Sequence, residues 1–246
     1  MHLFLWYQIK MNESQEIKKL FTIAGVLILA LLVFYVLIKL PGYIKRKTME
    51  KAVAGEVAIT IPEGLNAGQI GEILERAGLF SKSAFSKAAQ KEEGFLFPDT
   101  YRFYKTSKPE QVAARMRENF DKKITPEILD EIKKQNKTLR DVIIMASLLE
   151  EEVQSTADRK LAAGILWKRL KLGMGLQVDS APDTYRYRGL PPGPISNPGL
   201  DAILAATHPE PSPYLYYLSG QDGKTHYAKT LEEHALNKYK YLKKND

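Results

Sequence analysis

The longest uncharged run of the chain covers residues 20–38, nineteen positions without an acidic or basic side chain. A helix of this length spans the hydrocarbon core of a bilayer. The run is too long for the apolar part of a cleaved signal peptide, and no small-x-small cleavage site follows it. A buried helix of a soluble protein is the other explanation, but it would rarely lack charge over this length. We therefore predict a cytoplasmic N-terminal tail over 1–19 and a transmembrane anchor over 20–40.

Shorter patterns follow the anchor. A basic linker over 41–55 leads to an alternating apolar segment at 56–61, which predicts a β-strand. After a turn, Asn66 is placed to cap a helix whose apolar positions recur at helical spacing until Gly78 ends it. A second short helix is predicted before residue 92. Together these elements form a small β/α module over 56–92.

The remainder of the chain, 93–246, is dominated by helical periodicity. Its capping residues and apolar positions predict a series of helices that is interrupted once by a β-hairpin. The predicted helices cover 109–122, 125–134, 138–153, 155–172, 197–207 and 230–243, and the hairpin covers 214–227. The fold class is therefore α+β, with an N-terminal transmembrane helix, a small β/α module and a mixed helical domain that contains a β-hairpin.

One helix, 138–153, combines a uniformly apolar surface with a run of three glutamates at its end. Thr138 and Asp141 have the spacing of a capping pair, and only Ser147 is polar between 142 and 149. Glu150 lies on the line of the buried stripe, so we expect its carboxyl to have a raised pKa. A carboxyl that stays protonated near neutrality can act as a general acid. Considered alone, the helix still favours a simpler interpretation, a solvated charge run at its C-terminus.

Further polar residues lie in an irregular stretch later in the chain. If Leu176 and Val178 face the core, Gln177 and Asp179 project together into a cleft. The proline- and glycine-rich run 191–199 can form a rigid wall of that cleft. Tyrosines offer flat faces of the kind that stack on sugar rings, at 185, 187, 214, 216, 217 and 227. Together with Glu150 and Glu152, these residues make a glycosidic-bond enzyme one candidate.

The helix over 155–172 has an apolar face and a basic face. The basic residues are Arg159, Lys160, Lys168, Arg169 and Lys171. Attraction of an anionic polymer is one explanation of this face. A solvated amphipathic surface is the simpler explanation, and we expect it for most of these residues.

Composition excludes several kinds of chemistry. The chain has no cysteine, which excludes disulfides, thiolate metal sites and a cysteine nucleophile. Its four histidines lack the H-x-x-x-H spacing of zinc ligands, and neither a G-x-S-x-G nor a phosphate-loop motif occurs. We predict no metal and no other cofactor. The net charge of +7 suits an anionic surface such as lipid headgroups, and no basic run with interleaved aromatics indicates nucleic acid.

Five ordered motifs resemble the YceG-like family of endolytic murein transglycosylases. They are the segment from Glu93-Gly94 to Phe97–Tyr101, A-S-L-L-E-E-E at 146–152, G-M-G-L-Q-V-D at 173–179, G-L-P-P-G-P-I-S-N-P-G at 189–199, and the segment from His208-Pro209 to Pro213–Tyr217. The resemblance covers roughly 56–246, and motifs in the family's order are far more specific than one motif alone.

The resemblance implies a single-pass anchor in the cytoplasmic membrane, a LysM-like module over 56–92 and an extracytoplasmic catalytic domain over 93–246. It implies cleavage of the β-1,4 bond between N-acetylmuramic acid and N-acetylglucosamine in nascent peptidoglycan. The product would carry a 1,6-anhydro end, which terminates elongation of the glycan strand. Implied partners are peptidoglycan strands and the cytoplasmic membrane, with cell-wall synthases as candidates.

The resemblance also implies roles for individual residues. Glu150 matches the family's catalytic glutamate, which protonates the leaving oxygen and then takes the proton from the sugar's own 6-hydroxyl. No water attacks, so the paired-carboxylate geometry of hydrolases is not required. The remaining matched residues would hold the glycan in the cleft, and they are Glu152, Gln177, Asp179, Asn197 and Tyr227.

The chain departs from the family in three places. Its segment between anchor and catalytic domain is short, and Thr225-His226-Tyr227 stands where the family has H-x-F-[ST]. More lysines and arginines follow the anchor than precede it, which by charge alone would put the domain in the cytoplasm. Two other functions stay open, namely a catalytically silent peptidoglycan-binding scaffold and a hydrolytic muramidase with Asp179 as second carboxylate.

Overall fold

The computed structural model of the chain describes residues 32–42, 55–153 and 155–242. The chain divides into two compact units, Met1–Glu56 and Val57–Asp246. In the first unit, residues 32–42 form a helix, α1, whose side chains are exposed. No helix in the described ranges is both long enough and apolar enough to cross a membrane. The predicted tail 1–19, most of the anchor 20–40 and most of the linker 41–55 lie outside the described residues.

A two-stranded sheet with two helices opens the second unit. Strand β1 (Glu56–Ile61) pairs with β2 (Asp99–Tyr104), and helices α2 (Ala67–Arg76) and α3 (Lys82–Ala88) lie between them in sequence. Asn66 caps α2 in a reciprocal capping box, and Gly78 follows the helix with a φ of 76°. The predicted strand at 56–61 and both predicted helices are confirmed.

A first hydrophobic core packs these elements against helix α4 (Pro109–Lys123). Its fully buried members include Ile70, Leu74, Phe85, Leu96, Val112 and Met116. Residues from both sides of position 92 therefore share this core. The division into a module over 56–92 and a domain over 93–246 stays a prediction.

A second core is built around helix α6 (Leu139–Glu152), the helix that the sequence singled out. It packs against α5 (Pro126–Lys134), α7 (Thr156–Lys171) and α8 (Leu200–Thr207). Every residue over 142–149 is buried. The predicted capping pair is confirmed, since the Thr138 hydroxyl accepts from the Asp141 N–H and the Asp141 carboxylate accepts from the Thr138 N–H.

An irregular stretch and a hairpin complete the second unit. The stretch between α7 and α8 contains one 3-10 turn, Pro182–Tyr185. Strands β3 (Tyr216–Ser219) and β4 (Thr225–Ala228) form the predicted antiparallel hairpin, and helix α9 (Leu231–Leu242) packs against both strands. The start of α8 was predicted too early, because Gly199 rather than Asn197 is its N-cap.

Candidate active site

Glu150 lies in the last turn of α6, and its side chain is only 7% exposed. From the first turn of α7, Arg159 donates through Nη2 to Glu150 Oε1 at 2.6 Å. At the start of α8, the N–H of Gly199 donates to Glu150 Oε2 at 2.8 Å. Three helices that pack on one another thus hold both oxygens of this carboxylate.

The pKa of the Glu150 carboxyl is raised, and burial is the largest cause. The Gly199 N–H and the Arg159 guanidinium act in the opposite direction, because they stabilise the carboxylate. Two negative neighbours, Glu63 and Asp201, raise the pKa further. The predicted direction is confirmed, although the neighbouring charges differ from the adjacent glutamates that the sequence suggested.

Arg159 is a buried cation rather than part of a solvated face, with 9% of the residue exposed. Its Nε donates to the Val153 carbonyl at 2.8 Å and its Nη1 to Asp201 Oδ2 at 2.8 Å. The expectation of a solvated basic face was wrong for Arg159 and for Arg169, which is 5% exposed. Arg159 lies three and four residues before the buried Ala162 and Ala163, and Arg169 lies three residues after the buried Leu166. The helical spacing that selected Glu150 therefore also places both arginines on the buried face of α7.

The turn after β1 brings another carboxylate close to this site. Glu63 lies against the Cα of Gly199, and a methyl group at position 199 would overlap its carboxylate. The turn is fixed by a hydrogen bond from the Gly64 N–H to the Asn197 carbonyl at 3.0 Å and by a β-bridge between Leu65 and Asn197. Residues of the predicted small module therefore shape the surroundings of Glu150.

Asn197, one of the predicted glycan contacts, is 2% exposed. Its Oδ1 accepts from the Leu96 N–H at 2.9 Å, and its Nδ2 donates to the Leu65 carbonyl at 2.9 Å and to Glu93 Oε1 at 2.8 Å. The amide is thus committed to protein groups from three segments. This geometry favours a structural joint and gives no support to a glycan contact from Asn197.

A cavity of about 610 Å³ opens beside the end of α6. This volume lies within the usual range for small-ligand sites. Its wall includes three of the predicted binding residues, Glu152, Gln177 and Asp179. Glu151 is exposed and also lines the cavity, whereas Glu150 is not among its lining residues.

The predicted alternation at this wall is confirmed. Leu176 and Val178 are 0% and 2% exposed, whereas Gln177 and Asp179 are exposed and line the same cavity. Gln177 has a φ of 51°, a left-handed conformation that is uncommon for a residue other than glycine. Each of the three polar side chains on this wall accepts one hydrogen bond. Gln177 Oε1 accepts from Arg169 Nη2 at 2.7 Å, and Asp179 Oδ1 accepts from the Tyr185 hydroxyl at 2.6 Å. Glu152 Oε1 accepts from the Ser180 N–H at 2.8 Å.

Three buried polar atoms on this wall have no hydrogen-bond partner in the described ranges. They are Ser180 Oγ, Tyr217 Oη and His234 Nδ1. Burial raises the pKa of Tyr217 and lowers that of His234, so both side chains are neutral near pH 7. Each unpaired buried group costs about 1–3 kcal/mol. The wall is therefore suited to a ligand that supplies hydrogen bonds.

Tyr227, the last predicted glycan contact, points elsewhere. Its hydroxyl donates to Asp158 Oδ1 at 2.6 Å, and its ring stacks on Tyr214 with centroids 5.4 Å apart. Burial and the Asp158 carboxylate both raise the pKa of Tyr227. It is not among the residues that line the cavity of about 610 Å³, so this geometry does not bring it together with Glu152, Gln177 and Asp179.

Comparison with known families identifies the family of this chain. The model of the YceG-like family matches residues 41–183 and 180–240, most of the chain. The chain belongs to the YceG-like family. The matched residues include α6, the irregular stretch and the hairpin, which carry Glu150 and the cavity wall.

Relatives of this YceG-like protein include two endolytic murein transglycosylases. The one from Bacillus subtilis (strain 168) is 34% identical over 174 residues, and the match covers 61% of this chain and 48% of the relative. The one from Streptococcus pneumoniae serotype 2 is 32% identical over 180 residues, and the match covers 62% of this chain and 32% of the relative. The chain thus spans half or less of the length of these relatives.

A solved structure has the same fold. The crystal structure of a yceG-like protein from Listeria monocytogenes superposes with a TM-score of 0.65 and 29% sequence identity, covering 73% of this chain and 75% of that one. In the chain described above, no group of three histidine or carboxylate side chains within the described ranges is arranged to hold a metal ion. Two residues of the site have no signal in the sequence pattern, Glu63 beside Glu150 and His234 on the cavity wall. Arg159 and Arg169 were expected in a solvated face.

Proposed function

We propose that this protein is a membrane-bound endolytic lytic transglycosylase of nascent peptidoglycan. It cleaves the β-1,4 bond between N-acetylmuramic acid and N-acetylglucosamine and leaves a 1,6-anhydro end, which stops elongation of the strand. The observation that carries the proposal is Glu150, a buried carboxyl with a raised pKa whose oxygens face a cation and a backbone N–H. The names of the matched relatives support the same activity.

The proposed reaction needs one acid and no attacking water. Glu150 transfers its proton to the glycosidic oxygen as the bond from that oxygen to C1 of the muramyl ring breaks. The resulting carboxylate is stabilised by Arg159 and by the Gly199 N–H, so proton release leaves no unpaired buried charge. The muramyl 6-oxygen then bonds to C1, and its proton returns to Glu150, which restores the acid.

The cavity beside α6 is the proposed place of the sugar next to the scissile bond. Glu152, Gln177 and Asp179 supply carboxylate and amide groups, and the rings of Tyr185 and Tyr216 also line the wall. Carboxylates that accept from hydroxyl groups, beside aromatic faces, suit an uncharged sugar ring. Asn197 and Tyr227 are left out of this contact set because neither lines the cavity.

We place the protein in the cytoplasmic membrane as a single-pass protein with its catalytic domain outside. The uncharged run 20–38 and the extracytoplasmic position of peptidoglycan support this orientation. Lipid, glycan strands and cell-wall synthases are the proposed partners. Protease added to spheroplasts should degrade the domain over 93–246, and its protection in intact spheroplasts would contradict the orientation.

Two other functions remain to be tested against this one. The Glu150–Arg159 pair at 2.6 Å would also suit a purely structural ion pair in a silent scaffold. Asp179 in the cavity would suit the second carboxylate of a hydrolytic muramidase. Mass spectrometry of digested sacculi separates the three functions, because they yield anhydro ends, no new ends and reducing ends, respectively.

A further inference from the structure

A second cavity, of about 470 Å³, adjoins the cavity beside α6. Both are lined by Arg169, Gln177 and Tyr185. The two cavities are therefore neighbours, with these three side chains as common parts of their walls. The second cavity is framed by the end of α7 and by the irregular stretch that follows it.

The two cavities differ in charge. The wall of the first includes three carboxylates, those of Glu151, Glu152 and Asp179, beside two cations, Arg169 and Lys238. The wall of the second includes three guanidinium groups and, among the described residues, no carboxylate. The guanidinium groups belong to Arg169, Arg186 and Arg188. The second cavity therefore favours an anionic group more strongly than the first.

The three arginines have little compensating charge of their own. Arg169 donates to neutral oxygens, the Gly175 carbonyl at 3.0 Å and Gln177 Oε1 at 2.7 Å, and its burial lowers its pKa. Arg188 has no ion pair within the described part of the chain. Arg186 has one long pair, 3.4 Å to Asp183, and both side chains are largely exposed, so that pair is weak.

The wall that carries these arginines is held in place by internal hydrogen bonds. Thr184 accepts from the Val178 N–H at 3.0 Å and donates to the Ala181 carbonyl at 2.7 Å. Gly175 lies so close to the Thr184 and Tyr187 carbonyls that an added Cβ would be 3.3 Å from each. A preformed wall loses little conformational entropy when it binds a ligand.

We propose that the second cavity binds a carboxylate of the acidic peptide branch that the glycan carries, while the first cavity holds the sugar. Planar guanidinium groups match carboxylates in paired hydrogen bonds, which an uncharged sugar could not offer. The inference rests on the proposed function for its substrate. It adds that Arg186 and Arg188 select strands whose peptide branches are present and ionised.

Binding measurements on the full chain in mild detergent test this inference without requiring turnover. Calorimetry compares three fragments. They are a disaccharide that carries an acidic peptide, the same disaccharide without a peptide, and the same disaccharide with the carboxylates of its peptide amidated. The wild type should bind the acidic fragment about tenfold more tightly than either of the others, as two solvent-screened ion pairs on the exposed Arg186 and Arg188 predict. The double variant R186Q/R188Q should reduce this ratio to near one.

Lys171 supplies the matched control, because it is an exposed cation on α7 that lines neither cavity. K171Q should keep the wild-type ratio. Equal affinity of the wild type for acidic and amidated fragments would overturn the inference, as would an unchanged ratio in R186Q/R188Q. Preferential binding of a polyglycerol phosphate, with no preference among the fragments, would also overturn it in favour of a phosphate polymer. A chain that binds as predicted but produces no anhydro ends would contradict the proposed function alone.

Discussion

Removal of the Arg159 charge should raise the pKa of Glu150 and move the pH dependence of catalysis. In the proposed reaction Glu150 acts as an acid, so the rate falls as the pH rises through its pKa. Arg159 stabilises the carboxylate form from 2.6 Å. The variant R159Q loses that stabilisation, and the alkaline limb of the pH–rate profile should therefore move to higher pH.

The size of this shift follows from the burial of the pair. The side chains of Arg159 and Glu150 are 11% and 7% exposed, so solvent screens their interaction only weakly. An adjacent opposite charge lowers a carboxyl pKa by about 1–3 units, and each unit corresponds to about 1.4 kcal/mol. The Gly199 N–H still stabilises the carboxylate in R159Q. We expect the limb to move by about 1–2 units.

The same linkage predicts the stability of R159Q. A carboxyl whose folded-state pKa is raised contributes stability below its unfolded pKa and loses that contribution as the pH rises through the folded pKa. Relative to R159Q/E150Q, which has no carboxyl at position 150, R159Q should therefore lose stability between pH 4 and pH 7, by about 1.4 kcal/mol for each unit by which the folded-state pKa exceeds the unfolded one. The comparison of the two variants cancels the other carboxyl groups, some of which have lowered pKa values and act in the opposite direction.

The assay measures release of anhydro-muropeptides from sacculi between pH 4 and pH 9, together with urea unfolding at both pH values. Lys160 is the matched control, because it is an exposed cation next to Arg159, and K160Q should leave profile and stability unchanged. An alkaline limb that stays in place in R159Q, or moves to lower pH, would refute the reasoning.

Two further substitutions test the surroundings of Glu150. Glu63 raises the pKa of Glu150, so E63Q should move the alkaline limb to lower pH. The shift should be less than about one unit, because Glu63 is exposed and its charge is screened. Glu75 is an exposed acid on α2, and its variant E75Q is the control that should leave the profile unchanged, whereas a shift of E63Q to higher pH would contradict the charge assignment. N197A should lower the free energy of unfolding by about 2–4 kcal/mol in urea titrations, because it leaves the buried Leu96 N–H unpaired and removes a hydrogen bond to Glu93. Wild-type stability with a raised KM would instead favour the predicted glycan contact.

Local spacing predicted the elements that position the candidate acid. The capping pair at Thr138 and Asp141, the buried run over 142–149 and the alternation at 176–179 follow from rules that involve neighbouring residues only. The same rules placed Glu150 on a buried line and predicted the direction of its pKa. They succeeded because burial, the largest cause of that shift, is encoded in the helix itself.

Long-range partners could not be predicted in this way. Glu63 and Gly199 are far apart in sequence and meet only when the turn after β1 packs against the start of α8. The protein partners of Asn197 could not be predicted for the same reason, because its amide joins Leu65, Glu93 and Leu96. Arg159 and Arg169 were within reach of helical spacing, but their charge favoured an expectation of solvent exposure that burial in the packed helices overturned.

The central claim is that Glu150 is the acid that cleaves the glycan and leaves an anhydro end. The most direct measurement digests purified sacculi with the wild-type chain and with E150Q and identifies the new glycan ends by mass spectrometry. The account predicts 1,6-anhydro ends from the wild type and a loss of at least about a hundredfold in their rate of formation with E150Q, the range expected for removal of a general acid. Reducing ends from the wild type, or undiminished formation of anhydro ends by E150Q, would contradict it.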